Sequence, residues 1–151
     1  PVCACGARGC LEALAPRDAL VAAVGLEHPD DDALEEALVA AVAAEDDDGA
    51  ARSEVARQLR WLAVALRGAV NFVNPDRIVL GGHLAALWRC ADEAQRASLI
   101  ADALPASAAE VTIEPAALGA QRLLIGAAEL AWDELIADPI DALATPALAE
   151  A

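Results

Sequence analysis

Three cysteines fall within the first ten residues, in the run Cys3-Ala4-Cys5-Gly6-Ala7-Arg8-Gly9-Cys10-Leu11-Glu12. Sulfur ligands this close, turned by Gly6 and Gly9, can converge on one ion. Zinc takes four tetrahedral ligands and suits soft thiolates. Glycine supplies the positive φ angles that a short ligand loop needs. We read a structural zinc on Cys3, Cys5 and Cys10, with a fourth ligand outside the knuckle. The alternative is a disulfide or free thiols. A disulfide would leave one thiol over, and Cys3 and Cys5 are too near in sequence for an easy bridge. Four cysteines in all do not make a disulfide-dense secreted framework. A catalytic zinc would need an open site with His or carboxylate ligands, and none accompanies the thiols.

Composition narrows the function classes. The 151 residues suffice for one domain with its own core. Aromatic residues are only 3%, so that core must be built from Leu, Val, Ile and Ala. The net charge is −15, and the ten basic residues, all Arg, are scattered among 25 acids. A nucleic-acid binder needs a basic face to neutralise phosphates. This chain is therefore not expected to touch DNA itself, nor to favour an acidic membrane surface. No apolar run reaches the roughly 18 residues that a membrane span requires.

Periodicity predicts a helix over 11–25, interrupted at Pro16 and stopped by Gly25. Asp30-Asp31-Asp32 sits at the start of a helix over 33–44, where negative charge complements the helix dipole. An acidic turn, Glu45 to Gly49, leads into a long helix over 50–73. Its apolar face is Val55, Leu59, Leu62, Leu66 and Val70. Asn74-Pro75-Asp76 ends it. Arg77-Ile78-Val79-Leu80 reads as a strand covered on both faces, ending in the turn Gly81-Gly82. Helices are expected over 84–90 and 92–104, a second strand over 110–114, and a long apolar helix over 118–137. Residues 138–151 read as a frayed tail. His28 reads as solvated, and Cys90 as a buried small apolar residue. Strands alternating with helices predict an α/β fold. Two strands make a small sheet and three thiols an incomplete zinc site, so we expect a piece of a longer protein.

Three runs in this order carry a specific resemblance. They are the cysteine run ending in Leu11-Glu12, then Asn74-Pro75-Asp76-Arg77-Ile78-Val79-Leu80-Gly81-Gly82, then Leu118-Gly119-Ala120-Gln121-Arg122-Leu123-Leu124-Ile125-Gly126-Ala127-Ala128. Together they resemble the C-terminal part of the ROK family of repressors, open reading frames and sugar kinases. The resemblance spans Cys3 to about Pro139. It implies a helix-rich C-terminal lobe of an actin-like, hexokinase-like (ribonuclease H-like) ATPase fold over 1–137, with a zinc knuckle over 1–12 and a flexible tail over 138–151. An upstream lobe, and any DNA-binding domain, would lie before Pro1. The resemblance makes Cys3, Cys5 and Cys10 the thiolate ligands of a structural Zn2+, with an upstream His as the fourth. It makes Glu12 a contact for a sugar or sugar phosphate. In a kinase member, Gly81 and Gly82 would approach ATP with Mg2+. It further implies a cytoplasmic homodimer or tetramer without membrane attachment.

Two parent functions follow from the family. One is a sugar-responsive transcriptional regulator, in which this region binds the effector and dimerises while an N-terminal domain binds DNA. The other is an ATP-dependent, glucokinase-like sugar kinase. His83 stands where many kinase members have a third glycine and would crowd a nucleotide. Ala15-Pro16-Arg17-Asp18 replaces the Ser-Gly that often follows the glutamate in kinases. The tail beyond Ala137 resembles those of regulators. These features favour the regulator, with the kinase as alternative. The chain alone, lacking a base beside a phosphate cradle, is not expected to catalyse phosphoryl transfer.

Overall fold

A helix of nearly seven turns, buried along one face, organises the elements around it. The computed structural model describes residues 1–44 and 49–140. In chain order these form α1 (Leu11–Leu14), α2 (Arg17–Ala23), α3 (Asp31–Ala43), α4 (Ala50–Val73), β1 (Arg77–Leu80), α5 (His83–Cys90), α6 (Glu93–Ser98), α7 (Pro105–Glu110), β2 (Thr112–Pro115) and α8 (Arg122–Ala137). The predicted face of α4 is the buried one: Val55, Leu59, Leu62, Leu66 and Val70 all lie inside. Gly49 and Asn74, both left-handed, bracket it. Asn tolerates that conformation better than other side chains, and Pro75 then prevents the helix from continuing.

The core assembles where α3 and α5 meet α4. Leu34 and Leu38 of α3, Leu87 of α5 and Leu20 of α2 are fully enclosed with Leu62. Each buried leucine contributes roughly 1.5–3 kcal/mol relative to exposure. α3 begins as its sequence suggests, because the Asp30 carboxylate accepts the Ala33 N–H at 2.8 Å. Asp31, next in the acidic run, pairs with Arg17 at 3.3 Å. α6 starts with a reciprocal cap between Asp92 and Gln95. Asp92→Ala is expected to cost about 1 kcal/mol of stability, read as a lower denaturation midpoint; a change below about 0.3 kcal/mol would show that this cap is idle.

β1 and β2 pair in parallel, with Arg77 opposite Thr112 and Leu80 opposite Pro115. Such a pair needs a long crossover, here supplied by α5, α6 and α7. The ladder is extended by Thr112 N–H donating to Asp76 and Ala116 N–H to Leu80. The expectation that β1 is covered on both faces is not met among the described residues. Ile78 and Leu80 turn towards the core, whereas Val79 is 55% exposed. The run is apolar on both sides, but only one side has a helix against it.

Two further expectations need correction. The helix predicted over 92–104 stops at Ser98. Leu99 and Ala103 then bury themselves from turns, so their spacing mimics a helical stripe. Pro105 opens the unforeseen α7 at a first-turn position, where its missing N–H costs nothing. α7 takes Glu110, and the second strand runs Thr112–Pro115 rather than 110–114.

Contacts divide the chain into two units, Pro1–Gly119 and Ala120–Ala151. A 3-10 turn over Gly119–Gln121 precedes α8, so the predicted helix over 118–137 begins four residues later. α8 exposes Leu123, Leu124, Leu130, Trp132 and Ile136. Residues 45–48 of the predicted acidic turn and 141–151 of the predicted tail lie outside the described residues. Among the described residues no helix is long and apolar enough to cross a membrane.

Candidate functional site

The knuckle is a tight reversal. Val2 and Arg8 form an antiparallel bridge. Cys3 N–H donates to Ala7 O at 2.8 Å, and Gly6 N–H to Cys3 O at 2.9 Å. Gly6 and Gly9 sit at φ 86° and 87°, angles that would strain any residue with a Cβ. The reversal brings the sulfurs of Cys3, Cys5 and Cys10 within 4.8 Å of one another. Cys5 Sγ and Cys10 Sγ are 3.6 Å apart. A disulfide requires about 2.05 Å, and all four cysteines are free thiols. Two thiolates on one tetrahedral ion with bonds of about 2.3 Å stand roughly 3.8 Å apart. The three sulfurs therefore fit a thiolate-bound metal, and they are the only such His/Cys/Asp/Glu group among the described residues.

The thiols are unequal. The Ala7 backbone N–H, followed by the thiols of Cys10 and Cys3, stabilises the Cys5 thiolate and lowers its pKa. Cys10 is held above its ordinary value, chiefly because it hydrogen-bonds Cys5. Cys90 lies elsewhere, and burial pushes its thiol up to about 11, which keeps it protonated and inert.

α1 leaves the knuckle directly, with Cys10 at its N-cap. Glu12 is exposed in its first turn, and the Cys3 thiol donates to Glu12 Oε2 at 3.6 Å. A carboxylate at this place can accept hydroxyl hydrogen bonds from a ligand while its helix stays rooted in the knuckle.

A four-residue helix cannot hold itself. Three successive carbonyls at its C-terminal end are each taken by a side chain from another element. Arg57 Nη1 donates to Leu14 O at 2.8 Å, His83 Nε2 lies 3.0 Å from Ala15 O, and Gln58 Nε2 donates to Pro16 O at 2.9 Å. Glu54 organises the α4 side of this clamp, accepting from Arg57 and Gln58. The Arg57 guanidinium in turn lowers the Glu54 pKa. Gln58 is fully buried, and its Oε1 has no hydrogen-bond partner. Such an orphan costs about 1–3 kcal/mol, so the two bonds from its Nε2 are what hold this residue here. Sequence reasoning missed Glu54, Arg57 and Gln58 as positioning residues. The available signal was Gln58 itself, an amide lying beside Leu59 on the apolar face of α4.

The glycine turn sits at the other end of this clamp. Gly82 adopts φ 59° and ψ −144° at the start of α5, a region open essentially to glycine alone. The His83 ring reaches the Ala15 carbonyl, 3.0 Å from its Nε2. Burial is the main reason its pKa lies below the usual histidine value, opposed by the Ala15 carbonyl and Asp31 and assisted by Arg17. A histidine with a depressed folded pKa binds fewer protons folded than unfolded. Its contribution is complete above the unfolded value of about 6.5 and is lost as pH falls below it. Stability should fall below about pH 6.5 more steeply in the native chain than in His83→Gln; equal slopes would show that His83 does not titrate with folding. His28, the other histidine, is exposed at φ 49° in the loop before α3 and is not part of the thiol group.

A helix-rich α/β body thus presents a three-thiol knuckle that opens into a carboxylate-bearing helix, with a glycine turn alongside. The chain belongs to the ROK family, whose model matches residues 1–134. It is 34% identical over 130 residues to kanosamine kinase of Amycolatopsis mediterranei (strain S699), covering 85% of this chain and 41% of that protein. The chain therefore spans about two fifths of the length of this curated relative. No solved structure matches it.

Proposed function

We propose that these residues form the sugar-recognising C-terminal lobe, of actin-like and hexokinase-like fold, of a cytoplasmic ROK sugar kinase. The three thiolates hold a structural zinc, completed by a ligand outside the described residues, and Glu12 accepts hydrogen bonds from sugar hydroxyls. The observation that carries this reading is the rooting of α1 in the knuckle, which joins a metal-sized triangle of sulfurs to the Glu12 carboxylate. When bound, the metal supplies rigidity rather than reactivity, because three thiolates suit a closed structural site. The arrangement of Glu54, Arg57, Gln58 and His83 then fixes the far end of the same helix. Gly81 and Gly82 offer a side-chain-free approach for a nucleotide. The kinase reading is supported by the kinase named among the relatives.

The experiment is ATP-dependent phosphorylation of kanosamine and of common hexoses by the full-length protein. Turnover that falls at least about 100-fold in Glu12→Ala, through loss of hydroxyl contacts made in a closed site, supports the reading. Absence of turnover with every sugar overturns it. The effector-binding lobe of a transcriptional regulator is the second reading, favoured by Ala15-Pro16-Arg17-Asp18 in place of Ser-Gly. Under that reading the full-length protein binds sugar without turnover and releases operator DNA through an N-terminal domain. Sugar would act there by favouring one domain arrangement over another. In either case the assembly is proposed to be a homodimer or tetramer.

A further inference from the structure

The glycine turn and the end of α1 are far apart in sequence, yet one side chain spans them. His83 is the first residue of α5, immediately after Gly82, and its Nε2 lies 3.0 Å from the carbonyl of Ala15. Ala15 is 1% exposed and takes an irregular backbone, φ −127° and ψ 62°, between α1 and α2. Gly82 has a conformation that fixes where α5 begins. The bond therefore runs between two rigidly specified points: the turn after β1 and the root of the segment carrying Glu12. Arg57 and Gln58 hold the flanking carbonyls of Leu14 and Pro16, but both come from α4. Of the three clamp residues, His83 alone belongs to the glycine turn.

We propose that His83 is a positioning residue that ties the Gly81-Gly82 turn to the α1–α2 junction, so that the turn and the Glu12 helix move as one body. Its consequence for sugar rests on the Glu12 reading given above; the tie itself does not. Because a carbonyl only accepts, Nε2 is the protonated nitrogen. Gln at 83 can place an amide N–H at a similar reach, whereas Ala cannot. A ligand that shifts the turn would then shift the carboxylate, and a sugar that orders α1 would order the turn.

The test is amide hydrogen exchange on the full-length protein in its native, His83→Ala and His83→Gln forms, with sugar affinity or KM measured on the same proteins. Losing one net hydrogen bond of about 1 kcal/mol raises local opening roughly five- to tenfold. His83→Ala should show that increase at Ala13, Leu14 and Ala15, whose N–H groups close α1, while the α3 and α4 amides keep native rates. His83→Gln should restore native exchange at these three amides. An even increase across α3, α4 and α5 would mean general destabilisation and would overturn the proposal. So would unchanged exchange at α1, or failure of Gln to rescue. Local loosening accompanied by an increase in sugar KM supports both the tie and the Glu12 reading. Local loosening with unchanged sugar affinity supports the tie and removes Glu12 from the sugar site.

Discussion

Cys10→Ser is expected to empty the knuckle of metal and to abolish tight sugar binding in the full-length protein. Removing one thiolate from a closed structural site should weaken metal retention by more than the 10–100-fold typical of losing an outer-shell partner. The substitution is unusually clean. Cys10 is the N-cap of α1 and makes no side-chain cap there, whereas Ser is among the best N-cap residues, worth about 1 kcal/mol. The Cys10 carbonyl, which accepts from Ala13 and Leu14 at 3.0 and 3.2 Å, is untouched. The helix should therefore gain locally while the knuckle loses its ion. Elemental analysis after dialysis against a chelator reads the metal, and calorimetric titration reads the sugar. Cys90→Ser, which lies outside the thiol group, should retain both. Full metal content in Cys10→Ser would remove this residue from the ligand set. Native sugar affinity in a metal-free Cys10→Ser protein would separate the knuckle from recognition.

Leu62→Ala should be the most damaging substitution away from the knuckle. Leu62 is 1% exposed at the middle of α4 and belongs to the cluster that joins α2, α3 and α5. Removing a buried leucine loses its transfer free energy and leaves a cavity that its surroundings only partly fill, costing about 2–5 kcal/mol. With aromatics at 3% of the chain, the core has few large side chains that could swing into such a void. A value near the upper half of that range is expected from denaturant midpoints at unchanged slope. Val64→Ala, on the exposed face of the same helix, should stay within about 0.5 kcal/mol. A Leu62→Ala cost below about 1 kcal/mol would mean that the core around α4 is loosely filled.

Those two residues illustrate what could be read from the chain alone. Leu62 was legible because an apolar residue every three or four positions leaves a long helix only one face to bury. The knuckle was legible because three cysteines and two glycines in so short a run leave little else to do. The helix stop at Asn74-Pro75 and the acidic start of α3 were legible for the same local reason, whereas the cap made by Asp30 was seen only in the structure. The end of α6 was not legible, since Leu99 and Ala103 bury themselves from turns with a spacing that imitates a helix. Val79 was placed inside because its run is apolar throughout, and only the layout of helices shows which face they cover.

The sequence by itself determined the three-thiol group that can hold a metal, the length and buried face of α4, the α/β class and the ROK kinship. Each is written in residue types at short spacing, where backbone sterics and ligand preference act without reference to the rest of the chain. Tertiary structure alone decided how α1 is held. The clamp draws Arg57 and Gln58 from α4 and His83 from the start of α5 onto three neighbouring carbonyls. Hydrogen bonds reach about 3 Å, so bonds between residues 42 to 68 positions apart exist only once packing has brought α2, α4 and α5 together.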